Sequence, residues 1–335
     1  MDRKIITATG YGGTGSSAIT DLLKEFDNGL SLGDTEFWFL QDFDGISDLE
    51  YFLIDGNHRS RVNFAIKKFK DYIDRQSNYY ERFFKDFQKI SYSYIESLID
   101  ARFQKAISNY EIDSKLKQFF WFRINPKIQR VVAKTMGRDL AEFAVFFPTE
   151  EKVYSIPNRE RFYKETQKYT NKLFDSLDDK GYEFIAVDQL VPAMNAKRYQ
   201  NYVANLKVVI VDRDPRDLFL LNELHWKKAS YICDTANVEE YITWYKTMRE
   251  HKRFEEADKN VTYIMLEDLI YHYDATLKKL YDFFEIDKKH HTKKRKYFNP
   301  DVSIQWTKMY EKHPEYRKDA VAKIQKELHE YCFQR

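Results

Sequence analysis

The chain is poor in the residues that cross-link or break polypeptides: its 335 residues include 2 cysteines, 10 glycines and 7 prolines. Cys233 and Cys332 lie far apart and have no metal-ligand spacing, which excludes a disulfide framework or a zinc ribbon and fits two reduced thiols. Charge of one sign is also lacking. With Lys+Arg 55 against Asp+Glu 53 the formal net charge is +2, so no overall field draws the chain onto nucleic acid or an anionic membrane, and any anion site must be local. Long apolar runs are missing as well. Ile5 to Ala8 gives way at once to glycines, too short for a signal core or a membrane span, and the cytoplasm is the expected location. No repeat, low-complexity tract or Pro/Ser-rich linker marks a domain boundary.

What the chain does have is aromatic residues, 17% of the total, with Tyr 25 and Phe 26. Its opening reads as strand, glycine loop and helix: Ile5 to Thr9, then Gly10 to Gly15, then a segment that sets Ala18, Ile19, Leu22, Leu23 and Phe26 on one stripe. From about Val62 to Gln118 the chain is charged, aromatic and helical in character without a clear strand, and we expect a helical insertion at about 60–122. A further helix is expected from Arg159 to Leu177. Strand signals return at Tyr182 to Val187, at Val261 to Leu266, and most strongly at Leu206 to Val211, whose almost unbroken apolar run suits a strand buried on both faces. Alternating strands and helices predict an α/β fold: a doubly wound, mostly parallel sheet with a P-loop-like nucleotide-binding core, one domain spanning the chain.

Gly10 to Ser17 spells G-x-x-x-x-G-S-S, a Walker A pattern with serine at the lysine position. Glycines let successive N–H groups face an anion, and Ser16 and Ser17 add hydroxyl donors. The missing lysine, and the lack of an obvious strand ending in a magnesium-binding acid, count against an ordinary ATPase or kinase. A second anion motif ends the most apolar strand: Arg213-Asp214-Pro215-Arg216-Asp217. Asp214 is placed to cap a helix whose first residue is Pro215, which leaves Arg213 at the carboxyl end of a central strand, where open α/β sheets bind ligands. A planar guanidinium there suits a terminal phosphate.

These residues resemble the PAPS-dependent sulfotransferases. Gly10 to Ser17 is similar to their 5′-phosphosulfate loop, Arg213 to Asp217 to their R-N-P-R-D 3′-phosphate motif, and Val261 to Asp268 with Phe283 to Ile286 to their later strand and E-D-L segment. Phe298 to Trp306 resembles the loop whose tryptophan closes over the nucleotide. The resemblance implies that PAPS is the co-substrate and PAP the product, that no metal is required, and that Gly12, Gly13, Thr14, Gly15, Ser16, Ser17, Arg213, Asn222 and Trp306 hold the nucleotide. The acceptor it implies is a glycan or a small hydroxylated molecule, not nucleic acid.

Two positions depart from the family pattern. Gly13 stands where the family carries its catalytic lysine or arginine, and Leu221, beside Asn222, stands where it carries a phosphate-binding serine. Lys308 and Arg61 are candidates for the replacement cation. For the base that takes the acceptor's proton, Glu36 is the first choice because it follows the first helix, where the glycan and tyrosine branch keeps its glutamate; Asp34, Asp188 and His225 are alternatives. A divergent P-loop kinase using ATP and magnesium, and a PAPS-binding protein without catalysis, are the competing readings.

Overall fold

The computed structural model describes residues 3–106, 112, 114–139, 149–178, 180–226 and 235–334; Cys233 lies outside the described residues, as does the side chain of Asp34. The described residues include seven strands: β1 Lys4–Gly10, β2 Gly29–Glu36, β3 Ala101–Ala106, β4 Thr149–Tyr154, β5 Phe184–Asp188, β6 Leu206–Asp212 and β7 Val261–Met265. Five of them form one parallel sheet in the order β2-β5-β1-β6-β7, the α/β arrangement expected from the sequence. β5 and β6 are buried along their whole length, as strands covered on both faces must be.

The chain divides into two compact units, one of Met1–Asp42, Arg82–Asp86 and Thr166–Arg335, the other of Phe43–Glu81 and Phe87–Glu165. In the first, the stripe read from the sequence is what seats α1, Ser17–Leu23: Ile19, Leu22, Leu23 and Phe26 pack with Ile6, Ala8, Val209 and Val211 of the sheet. The Tyr273–Phe284 helix adds Leu277, Leu280 and Phe284 to the same cluster. Each such side chain contributes roughly 1.5–3 kcal/mol through burial, so the glycine loop is anchored at both ends by core. A second cluster joins Leu218 to Leu221 with Tyr241, Tyr245, Ile324 and Leu328, and fixes the helix that follows Arg213.

The second unit is built around the helices Arg59–Tyr80 and Phe87–Leu98, with aromatic packing such as Tyr80 against Phe87, ring centroids 4.9 Å apart. It also holds a strand that the sequence reading missed. β3 pairs antiparallel with β4, where a strandless helical stretch was expected. Its sequence, ARFQKA, carries charges and no apolar run, because a two-stranded ribbon buries little of either face. Among the described residues no helix is long and apolar enough to cross a membrane.

Candidate functional site

Among the residues selected from the sequence, the glycine loop, Arg213 and Trp306 come together where β1 and β6 end. Between β1 and α1 the backbone takes positive φ at Gly12 (88°), Gly13 (64°) and Gly15 (96°), which L side chains rarely adopt. A Cβ on Gly15 would also sit 2.9 Å from Leu266 Cδ2. Thr14 is buried and its Oγ1 accepts the N–H of Tyr11 at 3.2 Å, so the loop is pinned from within. The amide N–H groups of Gly12 to Ser16 donate to no other described residue, leaving a row of donors in a rigid concavity.

The loop is braced from below. Tyr11 is buried, its OH 2.8 Å from His251 Nε2, while His251 Nδ1 lies 2.7 Å from Glu255 Oε2. The Arg249 guanidinium stacks 4.2 Å from the Tyr11 ring centroid and pairs with Asp212 at 2.6 Å. Burial alone would raise the Asp212 carboxyl, but Arg249 and Lys252 outweigh it and hold the group at about 2.

Arg213 projects from the end of β6 to this loop. Its Nη1 donates to the carbonyl oxygen of Gly13 at 3.4 Å, its Nη2 donates to the carbonyl of Trp306, and its Nε is buried with no partner among the described residues. Burial pulls the Arg213 pKa down against the pull of Glu267, Asp217 and Asp214. Arg216, by contrast, is spent internally: it donates to Asp214, whose Oδ1 also caps the following helix by accepting Arg216 N–H at 2.9 Å. One arginine of the R-D-P-R-D motif therefore faces the cleft and the other holds the turn.

The cleft itself, about 260 Å³, is lined by Gly15, Ser17 and Asp21 on one side, by Arg213, Leu221 and His225 on another, and by Tyr297 and Trp306. Trp306 is half-buried, with its ring 4.4 Å from that of His225. Asn222 is placed otherwise than expected. It is buried, donates to Leu218 O at 2.9 Å and is not among the cleft's lining residues; Leu221 takes that wall, because one step along a helix turns the side chain by about 100°.

Sequence reasoning missed Asp21, although its spacing of four from Ser17 puts both on one helix face. It also missed Glu25, which organises the far wall. Buried Glu25 accepts N–H bonds from Arg295, Tyr297 and Phe298 at 3.0, 2.8 and 2.9 Å, across some 270 residues where no sequence signal connects them. Asp217 does the same for the next turn, accepting the N–H groups of Lys308 and Met309 at 2.7 Å each, while burial pushes its carboxyl up to about 6.

The carboxylate candidates pair up. Glu36 ends β2 in register with Asp188, the last residue of β5. Glu36 is exposed; Asp188 is buried beside Ser16, and its Oδ1 has no hydrogen-bond partner among the described residues. Burial, reinforced by the nearby Glu36 charge, pushes the Asp188 carboxyl up to about 7 although the Ser16 hydroxyl opposes the shift. Ser16 Oγ in turn accepts from Gln189 Nε2 at 3.0 Å, linking the glycine loop to the end of β5. Neither Glu36 nor Asp188 lines the Arg213 cleft. Of the replacement cations, Lys308 points its Nζ to the Tyr271 ring, 4.7 Å from the centroid, and Arg61 is exposed on the Arg59–Tyr80 helix of the other unit.

No family model matches this chain, and no curated protein matches it. Among solved structures it is similar to the sulfotransferase domain from the curacin biosynthetic pathway, at 12% identity over 98% of each chain and a TM-score of 0.39. It is also similar to a sulfotransferase from Mycobacterium avium, at 12% identity over 98% of this chain and 76% of that one, TM-score 0.37. A third similar structure is retinol dehydratase in complex with retinol and PAP, at 12% identity over 100% of this chain and 84% of that one, TM-score 0.34. Likenesses so distant leave the functional reading to the residues of the cleft.

Proposed function

We propose that this chain binds PAPS and transfers its sulfuryl group to a hydroxyl or amine of an acceptor, releasing PAP. The observation that carries the reading is the meeting of Arg213 with the glycine loop, two segments 200 residues apart in sequence. A doubly phosphorylated adenosine needs anion donors at two ends of one cleft. The N–H groups of Gly12, Gly13, Thr14, Gly15 and Ser16, with the Ser17 hydroxyl, supply one set; the unpartnered Nε of Arg213 marks the other. Trp306 and His225 offer ring faces between them.

In the transfer, the acceptor oxygen attacks sulfur as the bond from sulfur to the phosphate oxygen breaks, and that oxygen leaves with the electron pair on PAP. Donors already aimed at the phosphate stabilise this charge without reorganising. The acceptor proton goes to a carboxylate, and Glu36 is our assignment: it is exposed at the end of its strand, with Asp188 behind it. The Asp188 carboxyl behind it is pushed up to about 7, by burial first and by the nearby Glu36 charge. A glycan or small hydroxylated acceptor fits such a base best, and the stretch at about 60–122, helical except for β3 and its flanks, is read as an insertion in one domain.

Gly13 supports a second reading, nucleotide binding without turnover, because Arg213 is the only lysine or arginine lining the cleft among the described residues. The test is direct. PAP should raise the melting temperature more than ATP with magnesium does, by linkage, and labelled PAPS should pass its label to a member of a glycan and phenol panel. Glu36→Gln should lower transfer about 100-fold or more with PAP affinity unchanged. Stronger stabilisation by ATP with magnesium would overturn the proposal in favour of a kinase, and tight PAP binding with no transfer would favour the non-catalytic reading.

A further inference from the structure

The segment from Ser114 to Arg138 carries seven lysines and arginines and not one aspartate or glutamate, in a chain whose formal net charge is only +2. It is helical throughout Lys115–Met136, with Ser114 capping its start by accepting Lys117 N–H and Gly137 closing its end at φ 64°. Twenty-two residues at this rise make a rod of roughly 33 Å. The stop and start signals are its own, so the helix is a defined element of its unit.

Its faces are reversed relative to a helix that packs on a globular core. Asn125 and Gln129 are buried, and their side-chain NH₂ groups have no hydrogen-bond partner among the described residues. Apart from the small, buried Ala133, the helix turns large apolar side chains outward: Leu116 is 83% exposed, Val131 66%, Phe119 58% and Ile128 49%. Along the last three turns Lys127, Arg130 and Lys134 recur at intervals of three and four residues and form a cationic stripe beside the Ile128 and Val131 stripe. All three cations are exposed. A surface that is apolar along one line and purely cationic along the next matches the boundary between headgroups and acyl chains, where hydrocarbon inserts and the cations meet anionic lipid. It is too charged to cross a bilayer.

We propose that the Lys115–Met136 helix is an interfacial anchor that seats this protein on membranes bearing anionic lipid. The overall charge of +2 gives no such attraction, so the binding is local to this helix. Each lysine or arginine brought near an anionic surface strengthens binding roughly fivefold, and the apolar stripe adds a contribution that salt does not screen.

The experiment is co-sedimentation of the full chain with vesicles of phosphatidylcholine alone and of phosphatidylcholine with phosphatidylglycerol. Binding is expected to the mixed vesicles only, to weaken as salt is raised, and to fall at least tenfold in Lys127→Glu/Arg130→Glu/Lys134→Glu. Independently, Ile128→Ser/Val131→Ser should weaken binding at high salt more than at low salt. All of these side chains are exposed, and unchanged melting temperatures would verify folding; should the glutamate variant fail to fold, the serine variant carries the test alone. Equal binding to neutral vesicles, no binding to either, or a concentration-dependent dimer that disappears in the serine variant without vesicle binding in the parent would each overturn the proposal. No nucleotide enters the assay, so its result stands apart from that of the sulfuryl-transfer reading.

Discussion

Glu25 Oε2 lies 2.6 Å from His291 Nε2, and both side chains are completely buried. Burial by itself would raise the Glu25 carboxyl, but His291 and the backbone N–H groups of Phe298, Tyr297 and Arg295 outweigh it and hold the group below the usual carboxylate range. The carboxylate thereby ties the end of α1 to the strand of chain that lines the cleft with Tyr297 and Phe298. Glu25→Gln is expected to cost on the order of 3 kcal/mol in urea unfolding, because buried donors lose their charged acceptor. Hydrogen exchange should show amides 295–298 opening first. Uniform loss of protection across the molecule would count against a local role.

Arg213→Lys keeps the charge and loses the fork. With one or two charge-assisted hydrogen bonds gone, at about 1.5–3 kcal/mol each, the Kd for PAP should rise about 10- to 100-fold by calorimetry. An Arg216→Lys control should act on the melting temperature instead, since Arg216 is held by Asp214 and does not line the cleft.

Asp188 makes stability depend on pH in a direction that can be worked out. Its carboxyl is raised in the folded chain from near 4 to about 7, so between those values the native state binds the extra proton. Stability from this group is therefore full below about pH 4 and is lost as pH rises through about 7. Asp188→Asn should remove that slope: a few kcal/mol at most separates the two proteins, with the variant gaining on the parent from pH 5 to pH 8. Parallel stability curves for parent and variant would refute the raised carboxyl.

At the glycine loop, Gly15→Ala meets both a positive φ of 96° and Leu266 Cδ2 at 2.9 Å. We expect a loss of about 1–3 kcal/mol and a distorted N–H cradle, read as lower stability together with weaker PAP binding. Gly15→Ala/Leu266→Ala relieves the contact but not the φ, so it should leave PAP binding weak. Recovery of affinity in the double variant would show that crowding alone was at work.

The amino-acid order by itself determined the elements whose signal is local. The almost unbroken apolar run of β6 pointed to a buried parallel strand, Asp214 and Pro215 set the helix start, and the spacing of glycines in Gly10 to Gly15 pointed to the loop. Less legible were β2, where Gly29 and Gly33 interrupt the pattern and the register shifts between Ser31 and Glu36, and β3, whose charged ribbon buries no continuous face. Only the tertiary structure decided which arginine of the motif faces the cleft, that Leu221 displaces Asn222 from its wall, that Glu25 and Asp217 hold its far side, and that Asp188 titrates near neutrality. The physical reason is common to all four. Each depends on burial and on donors supplied by remote stretches of chain, and neither can be read from a residue's neighbours in sequence.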